Sequence, residues 1–175
     1  IATGRGPSDH RIGHFVAVNP TTGEKLPVTS QMRKVKALWN LFSAAEKDVA
    51  VVGWWATWPA EHVSGAIVSD HTCYHFLLDD APSGARDMTG VLYPPEIESD
   101  VMSLVRRPDS VTLEEVRRFA DVSAAEITRP FSFEDDLSHF KWVLATAFSY
   151  RDIGLSLWKK RRPDLLMTYI EGVDS

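Results

Sequence analysis

The residue best placed to do chemistry is Asp174, in the closing segment Pro163-Asp164-Leu165-Leu166-Met167-Thr168-Tyr169-Ile170-Glu171-Gly172-Val173-Asp174-Ser175. A basic helix end runs into an apolar strand, and the strand empties into a small-residue turn that carries a carboxylate. In open α/β proteins ligands bind outside the carboxyl ends of the strands. A carboxylate there serves as a metal ligand or general base, the plain alternative being an Asp that bonds its own turn. Ser69-Asp70-His71 sets an acid beside an imidazole. Adjacent strand residues point to opposite faces, so the pair could share one ion only from a turn; the simpler reading is a solvated turn after Gly65-Ala66-Ile67-Val68. His10 and His14 are four apart, a metal spacing on a helix, but Gly13 and the absence of helical patterning favour exposed loop histidines. Thr3-Gly4-Arg5-Gly6 resembles a phosphate-cradling loop without the lysine and glycine spacing of a P-loop. Cys73 has no evident activating partner.

The elements that must position these residues can be read from periodicity. Phe15–Val18 is a short strand candidate followed by an Asn19-Pro20-Thr21-Thr22-Gly23 turn. Ser30 is expected to cap a helix with Met32, Val35, Leu38, Trp39 and Phe42 on its buried face and Arg33, Lys34 and Lys36 on the other. Val49-Ala50-Val51-Val52-Gly53-Trp54-Trp55 is a continuous apolar run of strand length, as in a sheet covered on both sides. Trp54, Trp55 and Trp58 follow at its carboxyl end, either lining a cleft or plugging the top of a core. Residues 75–130 are divided by five prolines, show no strong buried strand, and carry a capping box at Thr112-Leu113-Glu114-Glu115 that opens a helix through Phe119. Ser132 then opens a long helix with Leu137, Phe140, Val143, Leu144, Ala147 and Phe148 as its buried stripe. Gly154 marks a bend or break in it, and Pro163 stops it before the Leu165–Ile170 strand. Two α-then-β steps separated by an insert give an α/β fold, with a mostly parallel central sheet, incomplete in this chain, and a small helical cap insertion. The expected boundaries are 1–74 for the first part of the core, 75–130 for the cap and 131–175 for the return to the core.

Bulk composition excludes several classes. The chain has 175 residues, 44% of them apolar and 25% charged, with a formal net charge of −5, and that charge offers no global attraction for nucleic acid polymers. The single cysteine forbids an internal disulfide or an all-cysteine metal site. No apolar run reaches membrane-spanning length. Ile1 in place of Met, and a stop one residue after Asp174, read as the two ends of an internal fragment.

Ile1-Ala2-Thr3-Gly4 with Pro7-Ser8-Asp9-His10-Arg11-Ile12, Val52-Gly53-Trp54-Trp55-Ala56-Thr57-Trp58-Pro59-Ala60-Glu61, Val68-Ser69-Asp70, and Pro163-Asp164-Leu165 leading to Tyr169-Ile170-Glu171-Gly172-Val173-Asp174-Ser175 together resemble the alkaline phosphatase superfamily. The branch most resembled is the type I phosphodiesterase/nucleotide pyrophosphatase group of bacterial proteins, the block around the three tryptophans being the most specific piece. The resemblance implies a three-layer sandwich and hydrolysis of phosphomonoesters or phosphodiesters through a phospho-Ser/Thr intermediate at two divalent cations, usually zinc. A sulfatase or phosphomutase-like activity is the runner-up within the superfamily. A non-catalytic module binding through the Trp54/Trp55/Trp58 surface is the alternative from another class. Asp174 becomes a metal ligand in an Asp-x-x-x-His segment whose histidine falls beyond Ser175. The nucleophile falls before Ile1, so Thr3 is not it, and the fragment alone is expected to be inactive. The implied partner is a small-molecule phosphate ester, and the implied location is exported, periplasmic or membrane-attached. Two departures stand out. The family's His-Gly-Ile is His10-Arg11-Ile12 here, losing a residue free to take positive φ. Asp70-His71 precedes the Asp174 segment in chain order, which makes it a lookalike of the family's metal pair.

Overall fold

Val49–Val52 is fully buried and forms the centre of the sheet. The computed structural model of the protein describes residues 2–73, 88–132 and 134–170. Its elements include α1 (Pro7–His10), β1 (Val16–Val18), β2 (Lys25–Pro27), α2 (Leu38–Ala44), β3 (Val49–Val52), β4 (Gly65–Val68), β5 (Leu92–Tyr93), α3 (Glu98–Met102), α4 (Leu113–Arg117), α5 (Ala124–Ile127), α6 (Asp136–Arg161) and β6 (Leu165–Thr168). β1 and β2 form a separate antiparallel hairpin. The main sheet has the order β5-β4-β3-β6. β3 runs parallel to both neighbours, pairing Val49 with Gly65 and Leu165 and Val52 with Val68 and Thr168, while β5 is antiparallel to β4.

Period-two alternation sends the sheet's side chains into two cores. Ala50, Val52, Ala66 and Val68 pack with Tyr150, Ile153 and Leu157 of α6, whereas Val49, Val51 and Ile67 pack with Trp39 of α2. Helix, sheet and helix make the three layers of the α/β fold, and covering both faces is why β3 reads as an unbroken apolar run. Gly65 sits where β4 starts with φ +138°, and a Cβ there would lie 1.9 Å from the Val49 carbonyl oxygen, so β3 and β4 register only around a glycine. At the amino ends, the Asp48 N–H donates to the Asp164 carboxylate at 3.0 Å and the Leu165 N–H to the Asp48 carbonyl at 3.2 Å. Arg161 closes the same corner on the Asp48 carboxylate at 2.6 Å.

Several expected boundaries are corrected by tertiary contacts. The helix expected from Ser30 is a 3-10 turn at Ser30–Met32, then extended chain, with regular helix only over Leu38–Ala44. Ser30 donates its hydroxyl to the Pro59 carbonyl at 2.6 Å, and the Lys34 and Leu38 N–H groups donate to His10 and Ala2 carbonyls, so these groups are taken from any helix ladder. β4 adds a parallel strand to the two foreseen. The stretch said to lack a buried strand supplies β5, whose Leu92 follows fully buried Val91. Thr112 does cap α4, and a second capping box at Ser123 opens α5. Asp135, not Ser132, caps α6 through the Ser138 N–H at 2.9 Å. Gly154 does not break α6, which is continuous over Asp136–Arg161: a Cβ there would lie 2.6 Å from the Thr168 hydroxyl, so the glycine lets the helix pass close to β6.

The buried stripe of α6 is also longer than expected and changes partner along its length. Leu144 and Ala145 join Val111, Val116 and Val122 in a third cluster, with Leu137, Phe140 and Phe148 half-buried around it. Tyr150, Ile153 and Leu157 then carry the helix onto the sheet.

Candidate functional site

Because β3, β4 and β6 are parallel, all three release their chains at one edge, and that edge carries a cavity of about 700 Å³. Thr3, His10, His14 and Phe15 approach from the N-terminal segment, Trp55 and Ala56 from the loop after β3, and Asp70 and His71 from the turn after β4. This loop is the crossover from β3 to β4, and it holds the three tryptophans. They do not form one surface. Trp54 packs into the α2-side core against Trp39 and Tyr169, with centroids at 6.3 and 5.9 Å. Trp58 packs into the α6-side core and stacks on His71 at 4.5 Å with a 3° interplanar angle. Trp55 faces the cavity and meets Phe15 at 4.9 Å.

Asp70 pins this loop. Its carboxylate accepts from the Ala56 N–H at 3.0 Å, the Trp58 N–H at 3.1 Å and the Thr57 hydroxyl at 3.2 Å. Its own N–H donates to Thr57 Oγ1 at 3.1 Å, and its carbonyl receives the Tyr150 hydroxyl at 3.0 Å. Ala56 keeps φ +57° in this arrangement. Burial pushes the Asp70 carboxyl above its usual range, while neighbouring His71 and the three donors pull the other way. The expectation of a solvated turn is therefore overturned, since Ser69 and Asp70 are both buried. An acid at the end of a buried strand survives there because the loop's donors need an acceptor.

A second cluster was hidden on what reads as the polar face of a helix. The Arg33 side chain is only 6% exposed, donating to Glu61 Oε2 at 2.6 Å and Asn40 Oδ1 at 3.0 Å. Trp39 Nε1 donates to the same Glu61 oxygen at 2.9 Å, and Asn40 Nδ2 to the other at 3.2 Å. The guanidinium also lies 5.1 Å from the Trp39 ring centroid. Glu61 closes the tryptophan block, and Arg33 and Trp39 also line the cavity. The sequence signal was the acid ending an otherwise apolar loop.

The N-terminal candidates fold as local turns. Thr3 Oγ1 accepts the Arg5 N–H at 3.2 Å, closing a turn within the segment itself. His10 Nδ1 accepts the Ile12 N–H at 3.1 Å and His14 Nδ1 the Phe15 N–H at 3.0 Å, so each has a ring nitrogen committed to its own loop. His10 is half-buried rather than exposed. Arg11 does take the positive φ for which a glycine would be suited, at +64°, with its N–H on the Pro7 carbonyl at 2.9 Å. That conformation costs a side-chain-bearing residue about 1 kcal/mol. Cys73 is a buried core residue whose thiol is pushed up to about 12 by burial, so it is no nucleophile.

Among the described residues, no three of His, Cys, Asp and Glu gather as a metal nest. Asp70, the carboxylate at the cavity, has both oxygens occupied by loop donors, so these residues do not by themselves fit a dinuclear centre. Asp174 lies outside the described residues; the described part of its segment ends with the Tyr169 N–H on the Val52 carbonyl at 2.9 Å and Ile170 beyond it. A family model described as type I phosphodiesterase / nucleotide pyrophosphatase matches the chain over residues 1–175. No curated protein and no solved structure matches it.

Proposed function

The chain belongs to the type I phosphodiesterase/nucleotide pyrophosphatase family, and from that premise we propose that it serves a metal-dependent hydrolysis of small phosphomonoesters or phosphodiesters through a phosphorylated Ser or Thr. The family match over residues 1–175 is the observation that carries this reading. The cavity supports it, because a parallel sheet offers its ligand site at the carboxyl edge of the strands. In this reading Asp174 is the metal ligand contributed by the segment after β6. Two divalent cations, zinc being the usual pair in the resembled superfamily, would supply Lewis-acid stabilisation of the displaced oxygens. No described residue is given the nucleophile's role.

What this chain's own residues contribute is shape. Asp70 holds Trp55 and Ala56 in the cavity wall, and Arg33 with Glu61 fixes Trp39 beneath it. Apolar and aromatic walls suit the organic portion of an ester and limit water around it.

The test is hydrolysis of p-nitrophenyl phosphate and bis(p-nitrophenyl) phosphate by the full-length protein with zinc. Turnover is expected and should fall at least about 100-fold in Asp174→Ala, as for loss of a metal-holding group. Unchanged turnover in that variant removes Asp174 from the site. A folded, zinc-supplied protein that hydrolyses neither ester overturns the function.

A further inference from the structure

The chain's charge is unevenly distributed. Residues 1–36 hold six Lys and Arg against two Asp and Glu, while the rest of the chain holds 13 against 22. Three of those six cations, Arg5, Arg11 and Lys34, line one concavity of about 800 Å³ with Ser8, Asp9 and Val35. Among the described residues none of the three cations forms an ion pair, whereas Lys47, Arg107, Arg151, Lys160 and Arg161 each meet a carboxylate. Asp9 is the single carboxylate in the lining, so the concavity keeps an excess of positive charge on a chain of net charge −5.

Arg11 closes α1 at φ +64°, and its exposed side chain has no ion-pair partner among the described residues. The left-handed conformation is that of a helix C-cap, which Arg162 also takes at the end of α6, and at α1 it sets the Arg11 side chain on the rim of the concavity. The concavity also adjoins the cavity at the sheet edge: the Lys34 N–H donates to the carbonyl of His10 at 3.2 Å, and His10 lines the cavity.

We infer that Arg5, Arg11 and Lys34 form a binding site for a small phosphate-bearing anion, beside the cavity and separate from it. Arginine offers a planar fork of donors to phosphate oxygens and lysine a mobile point charge. Together they suit a diphosphate-sized group better than a single carboxylate. The site goes beyond the hydrolytic reading and does not need it, since it uses neither Asp174 nor a metal.

The experiment is calorimetric titration of the chelator-treated protein with inorganic pyrophosphate at low ionic strength, alongside thermal unfolding. Pyrophosphate binding is expected, weakening as salt is added because the cations are exposed. Arg11→Gly should weaken it about tenfold, the loss of one charge-assisted contact, while leaving the unfolding temperature unchanged or raised because glycine relieves the φ strain. Arg5→Ala and Lys34→Ala should each weaken it without affecting hydrolysis of the monoester p-nitrophenyl phosphate at saturating substrate. Pyrophosphate binding that survives all three substitutions overturns the inference, as does no binding at all. Tighter binding of a single-stranded oligonucleotide than of pyrophosphate would overturn the small-anion assignment. Asp174→Ala should leave the titration untouched, so failure of the hydrolytic reading and failure of this one are separable.

Discussion

Asp70 satisfies three donors of the Trp54–Pro59 loop with one buried carboxylate. Asp70→Ala leaves the Ala56 and Trp58 N–H groups without their acceptor, and each unsatisfied donor is costly. The expected loss is about 2–4 kcal/mol by chemical denaturation, with a shift in tryptophan emission as Trp58 loses its stack on His71. A variant as stable as the parent would show that the loop is held by its ring contacts alone. This residue was visible in the sequence as an acid beside a histidine, but its role was not. The acceptor's three donors come from residues 12 to 14 positions earlier, and only the crossover brings them into range. Arg33 makes the same point in reverse, since a helical-wheel reading places it in solvent and the partner that buries it, Glu61, lies 28 residues away.

At the scale of an element, α4 shows local and long-range effects acting together. Thr112 and Glu115 cap each other's backbone, with Thr112 N–H on Glu115 Oε2 at 2.9 Å and Glu115 N–H on Thr112 Oγ1 at 3.3 Å. Arg106 grips the same carboxylate at 2.8 and 3.0 Å. The Arg106 hydrogen bonds, helped by the Thr112 N–H, lower the Glu115 carboxyl from 4.5 to about 2. A carboxylate depressed in the fold contributes stability above its unfolded value and loses it as pH falls through the folded one. Glu115→Gln should therefore cost about 1 kcal/mol near neutral pH, reduced by solvent screening, and the gap to the parent should close between pH 4.5 and about 2. A gap constant across that window in a pH series of unfolding temperatures would refute the coupling. The cap itself was legible from Thr-x-x-Glu spacing. Its clasp to Arg106 was not, because nothing in the sequence fixes where the preceding loop returns.

For the molecule as a whole, α6 is the shared member of two cores, giving Leu144 and Ala145 to the cluster of Val111, Val116 and Val122 and giving Tyr150, Ile153 and Leu157 to the sheet. A rigid helix common to both should couple them into one unfolding transition. Leu144→Ala is expected to cost about 2–4 kcal/mol and to move the far-ultraviolet circular dichroism and tryptophan fluorescence midpoints together. If fluorescence stays at the parent midpoint while helicity falls earlier, the clusters unfold separately and the coupling is wrong. The uneven charge also belongs to this scale. A basic N-terminal segment folded against the cavity mouth gives a chain of net charge −5 a positive approach for anions.

The sequence by itself determined the layers: an apolar run at Val49–Val52, a second at Leu165–Thr168 and a long capped helix between them leave little choice but a covered parallel sheet. It also determined which edge would matter, because parallel strands put their loops on one side. The tertiary structure alone decided that Asp70 would be spent on the tryptophan loop, that the three tryptophans would divide between two cores and a cavity, and that Gly154 would mark a close contact with β6 rather than a break. The reason is range. Periodicity and capping act over a few residues and are written locally, whereas the partner of a buried polar group is chosen by how distant segments meet.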